Sequence, residues 1–328
     1  MSESNPLEIR GAGGKSVLVC STGGHLSELL RVESRLGIHE DSLWVTFDTP
    51  QSRQELEGRR VHHLPYVGAR DPLSVLKVGP VVRSLVRSEQ FSAAISTGSS
   101  IALTALAACA MSGIPSTFIE SVCRVHGPST TGRLMQRIPG LDLRTQHARW
   151  AGGRWKPYPS VLEDFQSETV LPAQEPLRIF VTLGTFQGYR FDSVIDAFLA
   201  TGLANADTVW QLGDTSRDDR LPGTVHDYMS PADFAQAAAE ADVVVAHAGV
   251  GTLLELLGMG IYPVQVVRRA ARKEHVDDHQ TEIAEYVNAT GIGIAVDGPD
   301  LTADVIRYAA QRRIVDGKAV RNTVGYRG

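Results

Sequence analysis

The chain has 328 residues, of which 43% are hydrophobic and 21% charged, and its net charge at neutral pH is −5. That length suggests two domains with sizeable cores, and the charge balance excludes nucleic acid as the main partner. Three cysteines, Cys20, Cys109 and Cys123, show no metal-ligand spacing and fit a reduced, cytosolic compartment.

Met1 to Lys15 is polar and glycine-rich, without the apolar core of a signal peptide. Gly11-Ala-Gly-Gly-Lys-Ser16 has the look of a phosphate-binding loop, but Ile9 stands where the first glycine is required. The segment also precedes a strand rather than following one, which excludes ATPase chemistry. Ser16–Cys20 reads as a buried strand, followed by the turn Ser21-Thr-Gly-Gly-His25 and a helical pattern. Leu43–Phe47 and Ala93–Ser96 read as further strands, and Ser116–Glu120 is strand-like. The longest apolar stretch, Ile101–Met111, is too short to span a bilayer and is expected to be a buried helix. Gln166–Pro176 is polar, carries two prolines and has no periodicity, which marks a linker. The pattern then restarts with the strand Arg178–Thr182, a glycine turn, and a helix through Val194, Ile195, Phe198 and Leu199. Thr208–Leu212, Asp242–Ala246 and Tyr262–Val267 follow as strands. A buried strand, a glycine turn and an amphipathic helix open a Rossmann-like domain. Their repetition predicts an α/β fold with covered parallel sheets, over residues 1–165 and 177–328, with 166–176 as linker.

Four motifs are candidates for chemistry. His247-Ala-Gly-Val-Gly-Thr252-Leu-Leu-Glu255 follows an apolar strand and opens a helix. Glycines there let backbone N–H groups approach a phosphate, and the helix dipole favours its charge. Glu255, one turn on, has the reach of ribose hydroxyls, although Thr252-x-x-Glu255 also has capping-box spacing. Asp278, His279 and Gln280 lie beyond the strand ending at Val267, where open α/β sheets bind ligands; a solvated helix start capped by Asp278 is the structural alternative. In Ser21-Thr-Gly-Gly-His25 the loop suits an anion and His25 suits a general base, with a tight turn carrying His25 in the first helical turn as the alternative. Ser96-Thr-Gly-Ser-Ser100 precedes a helix, and Glu120 ends a strand, placed either to contact an acceptor or to pair with Arg124. No Asp-x-Asp pair occurs, so a sugar-nucleotide enzyme of this sequence would need helix dipoles and side chains for the leaving diphosphate.

These residues resemble a known family. Val17–His25, Thr46–Asp48, Ile95–Gly98 and Phe118–Arg124, with Ser129 and Gly132, look like the membrane-recruited acceptor subunit of a two-component glycosyltransferase. Ile179–Thr185, Phe191, Asp192, His247–Glu255 and Asp278–Gln280 look like its donor-binding subunit. Such pairs add the second N-acetylglucosamine to a dolichol-linked sugar in eukaryotes and serve exopolysaccharide assembly in bacteria. Both halves are also similar to the peptidoglycan lipid-intermediate N-acetylglucosaminyltransferase, of the family-28 type. The resemblance implies that the two components are fused here, acceptor half first. It implies a GT-B fold with sheets facing across a cleft that holds the active site. It also implies a UDP-sugar donor (N-acetylglucosamine, glucuronic acid or glucose type), inversion at the anomeric carbon, and a polyprenyl-diphosphate-linked acceptor.

Carried onto this sequence, the resemblance places the donor on Gly184, Thr185, His247, Ala248, Gly249, Gly251, Thr252, Glu255, Asp278, His279 and Gln280. It places the acceptor on Gly23, Gly24, Gly98, Ser99, Ser121 and Arg124, with His25 as base and Glu120 as the second candidate. No metal and no cofactor beyond the donor are expected. The chain departs from the pattern in reading Gly98-Ser-Ser100 where the peptidoglycan enzyme has paired glycines, and in showing no membrane anchor. The expectation is therefore a cytoplasmic protein, peripheral at the inner face of the cell membrane or on a membrane-bound partner. Pro72–Arg87, which mixes Leu73, Val75, Leu76, Val81, Val82 and Leu85 with Lys77, Arg83 and Arg87, suits docking to an anionic surface; a packed helix with a solvated face explains the same pattern. A UDP-sugar 2-epimerase and a non-catalytic sugar-nucleotide-binding subunit are the rival functions, and UDP release from a panel of UDP-sugars discriminates among them.

Overall fold

The computed structural model describes residues 8–66, 72–171, 173–184, 188–275 and 280–316. The chain divides into two compact units, Met1–Val161 and Leu162–Gly328. The first runs β1 (Ser16–Val19), α1 (Gly24–Leu36), β2 (Leu43–Phe47), α2 (Pro50–Glu55), β3 (Arg60–Leu64) and α3 (Pro72–Arg87). It continues with β4 (Ala93–Ser96), α4 (Ser100–Met111), β5 (Ser116–Ile119), α5 (Thr130–Met135), β6 (Asp142–Thr145) and β7 (Trp155–Pro157). Its strands form one parallel sheet in the order β3-β2-β1-β4-β5-β6-β7. Val17, Val19, Val45 and Ala94 join α3 residues Val75, Val78 and Val82 and α4 residues Ile101, Ala105 and Leu106 in one core cluster. The intervening residues Leu18, Trp44 and Ile95 point to the other face and are buried too. Burial on both faces is why these strands read as continuous apolar runs.

The second unit runs β8 (Phe165–Thr169), β9 (Ile179–Thr182), α6 (Asp192–Ala200), β10 (Val209–Gln211), β11 (Thr224–His226), α7 (Pro231–Glu240) and β12 (Val243–His247). It ends with α8 (Val250–Gly258), β13 (Val264–Val267), α9 (Gln280–Thr290), β14 (Ile294–Asp297), α10 (Ala303–Ala309) and β15 (Arg312–Asp316). Its parallel sheet has the order β11-β10-β9-β12-β13-β14. Phe180, Val244 and Ala246 pack on this sheet against Phe234 and Ala238 of α7 and Leu256 of α8.

The expected linker is corrected in part. Its first residues belong to β8, which pairs antiparallel with β15, and the unit boundary falls at Val161 rather than after residue 165. Main-chain bonds hold this ribbon, anchored by buried Phe165 and Ile314, so its polar side chains read as linker. Among the described residues no helix is long and apolar enough to cross a membrane.

Candidate active site

In each sheet the strand order reverses between two neighbours, β1 and β4 in the first unit and β9 and β12 in the second. Ligands of open α/β sheets bind at the carboxyl ends of such strands. The helices that follow these four strands are α1, α4, α6 and α8, and none has a side-chain cap. By contrast, Thr49, Ser129, Ser230 and Thr302 cap α2, α5, α7 and α10 through their hydroxyls. First-turn amides left uncapped at a switch point are donors available to an anion.

In the first unit Gly23 (φ 78°) is the N-cap of α1, and its N–H donates to Gln51 Oε1 at 2.7 Å. Gly24 and His25 open the helix. The imidazole of His25 crosses to the neighbouring turn after β4, where Nδ1 lies 3.0 Å from the Thr97 carbonyl. The Thr97 hydroxyl returns a bond to the His25 carbonyl at 2.7 Å. Gly98 (φ 130°) has to be glycine here, since a Cβ would sit 2.6 Å from His25 Cε1. Ser99 follows in a left-handed conformation (φ 76°), with its hydroxyl buried and unpaired among the described residues. Half-buried, His25 has its pKa pushed down to about 4, first by desolvation and then by the Arg124 charge, against the opposing Thr97 bond. The ring is neutral at pH 7. A carbonyl beside Nδ1 assigns the proton to that nitrogen and leaves the lone pair on Nε2. No described residue hydrogen-bonds Nε2.

Glu120 is placed differently. Its Oε2 accepts from the Ser129 N–H (2.9 Å) and hydroxyl (3.0 Å), and its Oε1 accepts from the Ser121 N–H (3.2 Å). A Cβ at Gly132 would lie 2.2 Å from Oε2, so the turn into α5 closes directly over the carboxylate. Burial raises its pKa against the lowering bonds from Ser129 and Ser121 and the charge of Arg124. Arg124 therefore acts on both His25 and Glu120.

Sequence reasoning missed Glu28. It lies on α1 one turn after His25, is 1% exposed, and accepts from the Ser121 hydroxyl (2.5 Å), the Val122 N–H (3.1 Å) and Gln146 Nε2 (3.0 Å). Burial pushes its pKa up to about 7. The available signal was its position between Leu26 and Leu29, on the apolar face of the helix.

In the second unit His247 ends β12. Its ring lies between two glycines: a Cβ at Gly184 (φ 78°) would be 2.4 Å from Cε1, and one at Gly249 would be 2.3 Å from Nε2. Desolvation, then Arg268 and His275, push its pKa down to about 3. Its Nδ1 is buried without a partner among the described residues. The Ala248 N–H bonds the Val266 carbonyl at 3.0 Å, and Gly249 is the N-cap of α8, which places Gly251 and Thr252 in the first turn. The helix begins two residues before Thr252, so Thr252 is not an N-cap and the capping-box account of Glu255 does not hold. Glu255 is exposed one turn further along. Gln280 opens α9 and accepts from the Arg268 N–H at 2.9 Å through Oε1. Thr185, Asp278 and His279 lie outside the described residues. Arg268, buried directly after β13, was also missed; a basic residue at the carboxyl end of an apolar strand was its signal.

Residues 199–303 match the family described as "Glycosyltransferase family 28 C-terminal domain". The chain is 31% identical over 301 residues to the UDP-N-acetylglucosamine--N-acetylmuramyl-(pentapeptide) pyrophosphoryl-undecaprenol N-acetylglucosamine transferase of Xanthomonas campestris pv. campestris (strain B100), covering 83% of this chain and 67% of that protein. The protein of the same name from Xanthomonas oryzae pv. oryzae (strain MAFF 311018) is 27% identical over 326 residues, covering 92% and 72%. Among solved structures, Acinetobacter baumannii MurG superposes with a TM-score of 0.56 at 18% identity, over 90% of this chain and 89% of that one. The glycosyltransferase SnogD from Streptomyces nogalater gives 0.52 at 18%, over 95% of each chain. At these identities the superpositions establish the fold, two parallel-sheet α/β units of GT-B type.

Proposed function

We propose that this chain, which belongs to glycosyltransferase family 28, moves a sugar from a UDP-sugar to a polyprenyl-diphosphate-linked acceptor, with inversion and without a metal. UDP is held by the second unit. The first-turn amides of α8, from Gly249 to Thr252, take the diphosphate, and Glu255 takes the ribose. Asp278, His279 and Gln280 contact the donor sugar; since Oε1 of Gln280 already accepts from Arg268, its amide Nε2 is the group left to donate. The acceptor binds the first unit at the uncapped starts of α1 and α4. As the acceptor oxygen bonds to the anomeric carbon, its proton passes to Nε2 of His25, the sugar–diphosphate C–O bond breaks, and UDP leaves. His25 is favoured over Glu120 because both oxygens of Glu120 are engaged in building the turn into α5.

One observation carries the reading: His247 walled by Gly184 and Gly249 at the uncapped start of α8, with Glu255 one turn on. The relatives' named activity favours UDP-N-acetylglucosamine as the first donor to test. On α3, Leu73, Leu76 and Val81 are exposed together with Lys77, Arg83 and Arg87, which supports peripheral docking at an anionic membrane face. The test is UDP release from a panel of UDP-sugars, with and without a polyprenyl-diphosphate-linked sugar. Acceptor-dependent release is expected, whereas a changed sugar with no acceptor present would establish an epimerase instead.

A further inference from the structure

A guanidinium taken out of water costs several kcal/mol unless its charge is compensated. Arg268 is 2% exposed. Its Nη1 donates to the carbonyls of Tyr189 (3.2 Å) and Glu274 (2.9 Å), and its Nη2 to the carbonyl of Leu183 (2.7 Å). Its own N–H is the donor to Gln280, and the Phe191 ring lies 4.7 Å beneath the guanidinium. These contacts tie together the chain after β9, the approach to α6, the turn after β13 and the start of α9.

Main-chain carbonyls satisfy hydrogens without neutralising a charge. Among the described residues no carboxylate forms an ion pair with Arg268. Among the described residues the acidic groups that act on it are Glu274 and Asp214. The Glu274 carboxylate is engaged by Ser193, Arg272 and the Arg269 N–H. That of Asp214 is engaged by Tyr228 and the Gly188 N–H. Burial draws the Arg268 pKa down only to about 10, so the group is cationic at neutral pH. Its Nε is buried with no partner among the described residues. The same charge depresses His247, so the two groups share one electrostatic environment. A neutral amide has only two N–H donors and could not grip all three carbonyls, so the fork accounts for the clamp, but it leaves the charge uncompensated and Nε without a partner among the described residues. The charge itself therefore needs a function, and an anion at the carboxyl ends of β9, β12 and β13 supplies one.

We propose that Arg268 is the positioning residue of the donor half, fixing these four segments and furnishing the buried positive charge against which the diphosphate of a nucleotide is held. The proposal rests on the UDP-sugar reading above. It is tested by competition titrations of UDP and uridine on the full chain as wild type, Arg268→Gln and Arg268→Lys. Loss of a charge-assisted contact should weaken UDP by about tenfold or more in Arg268→Gln. Uridine, which has no phosphate, should change by less than about twofold. Arg268→Lys keeps the charge and loses the fork, so its UDP-to-uridine ratio should stay within about threefold of wild type. Should Arg268→Gln fail to fold by circular dichroism, the Lys variant decides alone: a retained ratio supports the role and a tenfold fall overturns it. Equal losses of UDP and uridine, or no loss of either, would reduce Arg268 to a structural clamp. Wild-type protein that binds no UDP would overturn the nucleotide reading and this proposal with it, whereas wild-type binding with an unmoved ratio in Arg268→Gln overturns only the role of Arg268.

Discussion

Replacing Gly98 by alanine tests whether His25 is held by the turn after β4. At φ 130° an L-residue is strained, at a cost of about 1–3 kcal/mol. The new Cβ would also stand 2.6 Å from Cε1 and 2.9 Å from Nδ1 of His25, against an ordinary carbon contact of about 3.5–4.0 Å. The imidazole must retreat by roughly 1 Å. That carries Nδ1 out of range of the Thr97 carbonyl and forfeits about 0.5–1.5 kcal/mol. The variant should therefore lose about 2–4 kcal/mol of stability in denaturant unfolding. Truncating the ring gives the new methyl group room, so the Gly98→Ala/His25→Ala pair should be more stable than additivity by about 1 kcal/mol. Turnover of Gly98→Ala should fall by about tenfold or more through displacement of the proposed base, while UDP affinity, proposed to be set by the other unit, holds. Strictly additive stability losses, or a Gly98→Ala variant as stable as wild type, would refute the reasoning.

With His25 depressed to about 4, protonation removes the base only as pH drops through that value, so kcat/KM should stay level down to about pH 4 and then decline; an acid limb near the ordinary histidine value would show that the ring is solvated in the working enzyme. Glu255→Ala should weaken UDP by about ten- to a hundredfold and change stability by less than about 0.5 kcal/mol, because the residue is exposed and the Thr252 capping box does not form. The 2′- and 3′-deoxy analogues of UDP should lose affinity on wild type and little more on that variant, and additive losses would count against a ribose contact. Glu28 has a folded pKa of about 7 against an ordinary 4.5, so its contribution to stability is fully present below pH 4.5 and is lost as pH rises through 7. By linkage that contribution is on the order of 3 kcal/mol. Glu28→Gln should flatten this part of the pH–stability curve, and parallel curves for variant and wild type would sink the assignment.

Strands buried on both faces were legible because they are apolar runs bounded by turn residues. Leu43–Phe47 and Ala93–Ser96 appear with the expected ends, and β1, β5, β9, β10, β12 and β13 lie within two residues of theirs. The edge strands were not legible. In β3 (Arg-Val-His-His-Leu) and β11 (Thr-Val-His) polar residues face solvent, and pairing is enforced by a neighbour the local pattern does not reveal. The histidine–glycine motifs stood out because close backbone approach demands glycine. That Gly98 answers to His25 was hidden, since 73 positions separate them. Glu28 and Arg268 escaped for the same reason: their partners are main-chain or distant groups that leave no mark in residue spacing. The capping box that the Thr252-x-x-Glu255 spacing offered as an alternative does not form, because Gly249 takes the N-cap and starts the helix earlier.

The grip of Arg268 on carbonyl oxygens has a consequence for how specificity can change. Leu183, Tyr189 and Glu274 are held through their backbones, so the hydrogen bonds do not depend on which side chains those positions carry. Positions beside the clamp are then free to be exchanged, by drift or by design, without releasing the framework on which they are mounted. A library randomised at Tyr189 and His275 should consequently yield folded proteins with altered sugar preference, whereas one randomised at Arg268 should yield mostly inactive ones.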